Sequence, residues 1–347
     1  MRVAVTGATG FVGRYLVRHL ARAGHRLRCW YRPGSDRGGF EDGAGAVEWL
    51  PGELGDAGAA ARLIDGADAV VHAAVQWQGP RGRGHRSHGD PDVFFGVNLT
   101  GSLQLFQAAF EAGVPRFVFV STCAVHEVIL PDRPLDETHP LWPTSHYGAH
   151  KAALEAFVHS YGLGQGWPAC SQRPTGVYGL ARPASASRWY DLVGQVLRGE
   201  PVASAKGGKE VHAADVARAA EVLLNAGATA VAGQSFNCCD LYVAEQDVAR
   251  IARELTGSAC EVADLNRGPK NRIDTSKLRG LGMTFGGESL LRRTVRELVE
   301  AHQGSSRNGC RPGVHAQRKL RSRWRLLRNL NKKEPRLYSS DCSCPSL

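Results

Sequence analysis

Several hallmarks of other protein classes are missing from this sequence of 347 residues. No apolar run approaches the roughly 20 residues that a membrane-spanning helix needs. The first residues lack the charged, apolar and small-residue regions of a secretory leader, because Arg2 is followed at once by a β-rich run. A cytoplasmic location is therefore expected. The nine cysteines (Cys29, Cys123, Cys170, Cys238, Cys239, Cys260, Cys310, Cys342 and Cys344) are odd in number, irregularly spaced and without a CxxC pair. That argues against a disulfide framework and against zinc, so no metal is expected. They read as small core residues of a reducing compartment. No internal repeat is present.

Acidic residues are scarce in one place only. Residues 304–347 hold eleven of the 43 Lys and Arg, but of the 33 Asp and Glu only Glu334 and Asp341. The net charge of +10 is concentrated there, and the basic character says nothing about a substrate of the near-neutral body. Within this tail, QRKLRSRWRLLRNLNKK spaces Leu320, Trp324, Leu327 and Leu330 at near-helical intervals among cations. Such a helix would suit a membrane surface or nucleic acid. A disordered extension, or a reading frame that overruns its proper end, explains it as well, so either contact is expected only if the tail is ordered.

What is present fits a globular protein: 43% hydrophobic and 22% charged residues, with length for one large or two smaller domains. Arg2–Val5, Arg26–Tyr31, Val47–Leu50, Ala69–His72, Arg116–Ser121 and Ala169–Val177 read as strands. Helical patterns fall between them at Tyr15–Ala23, Ala57–Ile64, within Val93–Ala112 and at Tyr147–Tyr161, and a Gly-rich loop covers 33–45. Strands separated by helices of this length predict right-handed βαβ units and a parallel sheet covered on both faces. After Gly179 the alternation weakens, with helical patterns at Trp189–Leu197, Asp215–Asn225, Glu245–Leu255 and Leu290–His302. The expected fold class is α/β, a doubly wound parallel sheet with a small C-terminal substrate cap. The main domain is expected over residues 1–178, with 211–226 returning to it, the cap over 179–303 and the tail over 304–347.

The stretch TGATGFVG, Thr6 to Gly13, places three glycines between the first strand and the first helix. Strand, tight turn and helix N-terminus together focus backbone N–H groups and the positive end of the helix dipole on one point. Gly7 takes the turn, Gly10 lets a pyrophosphate approach the backbone, and Gly13 lets the helix lie close to the sheet. Phe11 and Val12 belong to the same phosphate-binding turn. In the first βα unit of a long series, this predicts an NAD(P)-binding Rossmann fold. The second strand ends Cys29-Trp30-Tyr31-Arg32, without the acid that an NAD site offers to the adenosine ribose. Arg32 suits a 2′-phosphate, which favours NADP over NAD, although a solvated surface cation is the competing reading.

A second signal is STCAVHE at 121–127 followed by YGAHK at 147–151. Tyr147 and Lys151, four residues apart, share a helix face. A nearby ammonium and a positive nicotinamide would pull the Tyr147 pKa down from about 10. That makes Tyr147 a general acid/base for a hydroxyl or carbonyl proton while hydride moves. Thr122, just past a central strand, can hydrogen-bond the same substrate oxygen.

On these motifs the chain resembles the extended short-chain dehydrogenase/reductases, the NAD-dependent epimerase/dehydratase family, over roughly residues 1–303. Also similar are GELGD (52–56), VVHAA (70–74), VNLTGS (97–102), VSTCAV (120–125), RPTGVYG (173–179), VHAADVARA (211–219) and IDTSKLRGLG (273–282). The resemblance implies Thr122, Tyr147 and Lys151 as the catalytic three, with Lys151 also gripping the nicotinamide ribose. It implies Glu53 and Leu54 at the adenine, Ala73 and Ala74 along the cofactor, and Pro174 and Val177 near the nicotinamide. Asn98 would be structural or a proton relay, and a homodimer through a four-helix interface is a further implication.

Departures from the family pattern refine this picture. Dehydratases of the family carry an Asp-Glu pair directly after the catalytic Thr, where this chain has Cys123 and Ala124. Nucleotide-sugar epimerases carry an Asn at the position of Gly176. They also carry an Arg for the pyrophosphate in the stretch that here reads Gly207-Gly208-Lys209, and His126 replaces a usual Tyr. These differences point to an oxidoreductase of the reductase/dehydrogenase branch, acting at a carbonyl or secondary alcohol of a small molecule. The alternatives are a nucleotide-sugar epimerase of UDP-hexose type with tightly bound NAD, and a non-catalytic NADP-binding protein. His85 and His88, in the loop GPRGRGHRSHGD (79–90), read as solvated rather than metal-binding, the loop's arginines hinting faintly at an anionic substrate. His212 and Asp215 read as structural residues opening a helix, and Cys123 as a buried neutral thiol.

Overall fold

The first strand shows how both faces of the sheet come to be buried. In β1 (Arg2–Thr6), Val3 and Val5 join one apolar cluster with Leu16, Leu20, Ala217 and Leu223. Ala4, between them, joins a second cluster with Leu63, Phe106 and Leu154. Alternate side chains point to opposite faces, so a strand apolar at every position needs a helical layer on each side.

The computed structural model describes residues 1–40, 45–77, 92–266 and 271–308. Residues 1–301 form one compact unit, and residues 302–347 are grouped apart from it, their described part being the end of the last helix. The loop at 79–90 and most of the basic tail, two subjects of the sequence reading, lie outside the described residues.

The order after β1 is α1 (Phe11–Arg22), β2 (Arg26–Tyr31), β3 (Val47–Pro51), α2 (Ala57–Ile64) and β4 (Ala69–His72). A π-helical segment, Val93–Thr100, continues into α3 (Gly101–Glu111), followed by β5 (Phe117–Val120), α4 (His146–Gln165) and β6 (Ala169–Pro174). Next come β7 (Gly176–Tyr178), α5 (Tyr190–Leu197), β8 (Gly207–His212), α6 (Ala213–Asn225), α7 (Ala228–Val231), β9 (Gln234–Cys238) and β10 (Leu241–Ala244). The described chain closes with α8 (Glu245–Thr256), α9 (Ser276–Gly280) and α10 (Gly287–Asn308).

Seven strands form one parallel sheet in the order β3-β2-β1-β4-β5-β6-β9. α1 and α6 pack together on one face, and α2, α3 and α4 on the other. This is a doubly wound Rossmann-like fold. The strand order reverses between β1 and β4, and a crevice opens there at the carboxyl ends of the strands. A smaller sheet, β10-β8-β7, is mixed, with β7 parallel and β10 antiparallel to β8. Tyr178, Val193, Val248, Val295 and Leu298 pack into a third cluster around it.

Two elements depart from the sequence reading. The single strand expected over Ala169–Val177 is two strands in two sheets, with Thr175 as the joint. Its amide donates to Cys238 O at 3.2 Å, after which Gly176 pairs with Glu210 in the small sheet. The seventh strand of the large sheet, β9, went unassigned because QSFNC has polar residues at both faces; their partners are non-local, as in the Ser171–Ser235 hydroxyl pair at 2.7 Å.

Candidate active site

The turn after β1 is built around Thr6. Its Oγ1 accepts the amides of Ala73 and Ala74, each at 3.1 Å, and meets His72 Nδ1 at 2.7 Å. With two amides already donating to it, the hydroxyl gives its proton to Nδ1. The ring proton then sits on Nε2, which faces Ser102 Oγ at 2.9 Å. Burial drives the His72 pKa well below the usual histidine range, so the ring is neutral. Gly7, at φ +69°, lies against this loop, and a Cβ there would come within 2.7 Å of the Ala73 carbonyl. At Gly13 a Cβ would collide with Gly7 O and approach Ala8 Cα to 2.8 Å. The residue before α1, Gly10, offers no side-chain cap, so the first amides of the helix are left for an anion.

These residues line one end of a cleft of about 1160 Å³. Phe11, Val12 and Gly10 share that end with Gly7 and Gly13, while Arg32, Glu53 and Leu54 lie along the β2 and β3 side. Ala73, Ala74, Pro174 and Val177 line the middle and far walls, together with Thr122, Tyr147 and Lys151. Every residue that the sequence reading named for cofactor or catalysis thus borders the same cleft.

The reactive end is positioned by two caps. Thr122 lies two residues past β5, and its Oγ1 accepts the Ala124 amide at 3.1 Å. Ser145 caps α4 by accepting the Gly148 amide at 3.1 Å, which sets Tyr147 in the first turn. The Tyr147 hydroxyl hydrogen-bonds Thr122. One turn on, the buried Lys151 donates to Val120 O at 2.8 Å and lies 4.5 Å from the centre of the Phe119 ring. Burial lowers the Lys151 pKa to about 7, against the opposing pull of Glu155. The phenol behaves differently from the sequence expectation. Burial raises the Tyr147 pKa, and the Thr122 hydrogen bond works against that shift. The Lys151 amine points to a backbone carbonyl, and the downward pull on the phenol within the protein comes from Thr122.

Beneath these groups lies a buried ion pair. Glu155 takes Arg173 Nε at 2.8 Å and Nη2 at 2.6 Å on Oε2, which also accepts from Ser235 Oγ at 3.0 Å. Arg173 Nη1 donates to His126 Nε2 at 3.1 Å, so His126 donates from Nδ1 to Pro140 O. Burial, then Arg173, lowers the His126 pKa to about 4. Cys123 donates from Sγ to Arg173 O at 3.0 Å, and burial pushes its thiol up, so it is neutral. His212 caps α6, and Asp215 accepts the Gly286 amide and pairs with Arg218. Asn98 closes on the loop after β4 by accepting the Gln76 amide at 2.7 Å and donating to Gln76 O at 2.9 Å.

Sequence reasoning missed three neighbours of the cleft. Trp77 lies with its ring centre 5.0 Å from that of Tyr147, the planes inclined by 31°. Thr175 is the joint between the sheets. Asp36 sits in the Gly-rich loop near the end of β2, its carboxylate accepting the Gly38 amide at 2.8 Å and pairing with Arg182 and Arg14. An indole and an acid in glycine-rich or polar loops, directly after strands, were the available signals. Among the described residues no group of three or more His, Cys, Asp or Glu could hold a metal ion, and no helix is long and apolar enough to cross a membrane.

Residues 3–239 match the NAD dependent epimerase/dehydratase family. The 3 beta-hydroxysteroid dehydrogenase/Delta 5-->4-isomerase of Mycobacterium tuberculosis is 32% identical over 183 residues, 51% of this chain and 47% of that protein. The UDP-glucose 4-epimerase of Rhizobium leguminosarum bv. trifolii is 34% identical over 160 residues, 46% of each. The chain therefore spans about half the length of the curated relatives it matches. Among solved structures, the Thermus thermophilus UDP-glucose 4-epimerase in complex with NAD is similar with a TM-score of 0.67 at 27% identity, covering 86% of this chain and 99% of that one.

Proposed function

This chain belongs to the NAD dependent epimerase/dehydratase family, and from that premise we propose that it is an NAD(P)-dependent oxidoreductase acting at a carbonyl or secondary alcohol. The observation that carries the proposal is the Thr122–Tyr147 hydrogen bond beside the buried Lys151, in the same cleft as the glycine turn. The cradle fits a dinucleotide, because Gly7 and Gly13 leave no room for side chains where the turn, the loop after β4 and the start of α1 pack together, and the first amides of α1 have no side-chain cap. Gly7 and Gly10 to Gly13 would hold the pyrophosphate, Glu53 and Leu54 the adenine, Ala73 and Ala74 the middle, and Pro174 and Val177 the nicotinamide end. Lys151 would hold the nicotinamide ribose. The bound cofactor supplies or accepts the hydride.

In the reducing direction, the substrate carbonyl oxygen accepts a hydrogen bond from Thr122 and the proton of the Tyr147 hydroxyl as its carbon gains hydride. Burial raises the phenol pKa, so Tyr147 carries its proton at neutral pH and has one to donate. NADP is favoured over NAD. Among the described residues of the loop after β2 the acid is Asp36, already engaged by an amide and two guanidinium groups. Arg32 is exposed on the cleft; its carbonyl accepts the Ser35 amide at 2.9 Å, and its side chain has no hydrogen bond or ion pair to the described residues.

The similarity to a UDP-glucose 4-epimerase over nearly the whole of that chain favours a second reading, epimerisation of a nucleotide sugar. A buried carboxyl supports the first instead. Glu210, 1% exposed, pairs with Arg188 at 2.6 Å through one oxygen, while the other has no partner. A Cβ at Gly176 would lie 2.9 Å from its carboxyl carbon, and one at Gly208 would lie 2.7 Å from Oε1. A carboxyl, its pKa raised by burial to about 7 against the pull of Arg188, thus takes the space beside the positions where family epimerases carry Asn and Arg. Within residues 179–303, the small sheet and the segments of its cluster would form the substrate side, while α6 and β9 belong to the large sheet. The test is turnover of added NADPH with a panel of carbonyl compounds, with Tyr147→Phe abolishing it. Copurified NAD, with activity on a UDP-hexose and no need of added cofactor, would transfer the assignment to the epimerase.

A further inference from the structure

At the reacting end of the cleft the phenol has an indole for a neighbour. Trp77 is 40% exposed, borders the cleft and lies 5.0 Å from the Tyr147 ring, tilted to it by 31°. Exposed tryptophans on flexible loops are common, and exposure alone would carry nothing. Here the backbone leading to the ring is fixed from inside the fold. Asn98, 1% exposed, ties down both the amide and the carbonyl of Gln76, the residue before Trp77. One buried amide group thus sets where the chain delivers the indole. Val75, Pro174 and Val177 add apolar lining to the cleft.

An indole held beside the proton donor offers a flat, apolar surface with a favourable geometry for stacking. We propose that Trp77 is the specificity-determining platform of this site and selects a planar, aromatic or conjugated carbonyl substrate whose carbonyl then meets Tyr147. This rests on the oxidoreductase reading above for the identity of the reacting group. The platform acts in binding, so it favours flat substrates through KM more than kcat.

The test compares 2-acetylnaphthalene, a planar aryl ketone, with methyl cyclohexyl ketone, which presents the same carbonyl on a puckered ring. With NADPH, Trp77→Ala is expected to lower the preference for the aryl over the alkyl ketone by about tenfold, mainly through the aryl KM, and Trp77→Phe to keep most of it. An unchanged preference, or an equal loss for both ketones, overturns the proposal. Equilibrium dialysis of 2-acetylnaphthalene against the NADP-saturated protein separates this from failure of the oxidoreductase reading. Binding that weakens about tenfold in Trp77→Ala, without reduction of either ketone, sustains the platform and refutes the reaction. No binding to the unaltered protein refutes the platform.

Discussion

Replacing Lys151 by Met should abolish activity and yet make the protein more stable at neutral pH. Burial lowers the Lys151 pKa from 10.5 to about 7, so the fold disfavours the ammonium relative to the unfolded chain. At about 1.4 kcal/mol per pKa unit, carrying that charge costs the fold about 4 kcal/mol at pH 7. The unfolded chain binds the proton more tightly throughout the window from about 7 to 10.5, so this destabilisation is full below the folded value and fades as pH rises to the unfolded one. Methionine removes the charge but forfeits the 2.8 Å hydrogen bond to Val120 O, a loss of about 1 kcal/mol. The net effect is a gain of about 3 kcal/mol at pH 7 that shrinks with pH and reverses near pH 10. In thermal melts of the cofactor-free proteins, this amounts to a rise on the order of 5–10 °C at pH 7. Measuring both proteins at each pH cancels the titration of groups that do not feel the Lys151 charge, and His72 and His150, which do, are held below pH 7 chiefly by burial. A difference that stays flat from pH 7 to 10, or one that grows with pH, would refute the reasoning.

Other outcomes follow from single contacts. Gly13→Ala drives a methyl into Gly7 O and Ala8 Cα, which are backbone and cannot swing aside; urea unfolding should show a loss of about 3 kcal/mol, with loss of any melting-point rise on adding NADPH. Glu155→Gln leaves Arg173 buried without its charge partner, and a loss of about 3–5 kcal/mol is expected by the same measurement; a change under 1 kcal/mol would mean the pair is not the structural tie described. Arg32→Ala should weaken NADPH binding about tenfold in calorimetry while leaving NADH nearly unchanged, and equal effects on both would remove the case for NADP.

What could be read in advance was local. The glycine turn announces itself in eight consecutive residues, and Tyr147 with Lys151 in one helical turn, because each arrangement is encoded by spacing along the chain. The large sheet followed for the same reason, as each βα unit carries its own apolar pattern. Arrangements made by distant partners stayed hidden. Nothing in QSFNC says that it completes the sheet beside β6, since its polar residues find partners on other elements. Nothing in RPTGVYG says that the chain changes sheets at Thr175. The direction of the Tyr147 shift also depended on where the Lys151 amine points, and the amine turns to Val120 O.

The change of sheet at Thr175 also separates two kinds of variation. Thr122 and Lys151 are anchored just past β5 and on α4, over the large sheet. Arg188, Glu210 and Gly176 belong to the small sheet or the segment packed on it. The two sets sit on different sheets, joined by short links such as Thr175 and Cys239-Asp240, so mutations can rework the small sheet for a new ligand while the proton-transfer groups keep their places. A lineage built this way can diversify what it acts on without reinventing how it acts.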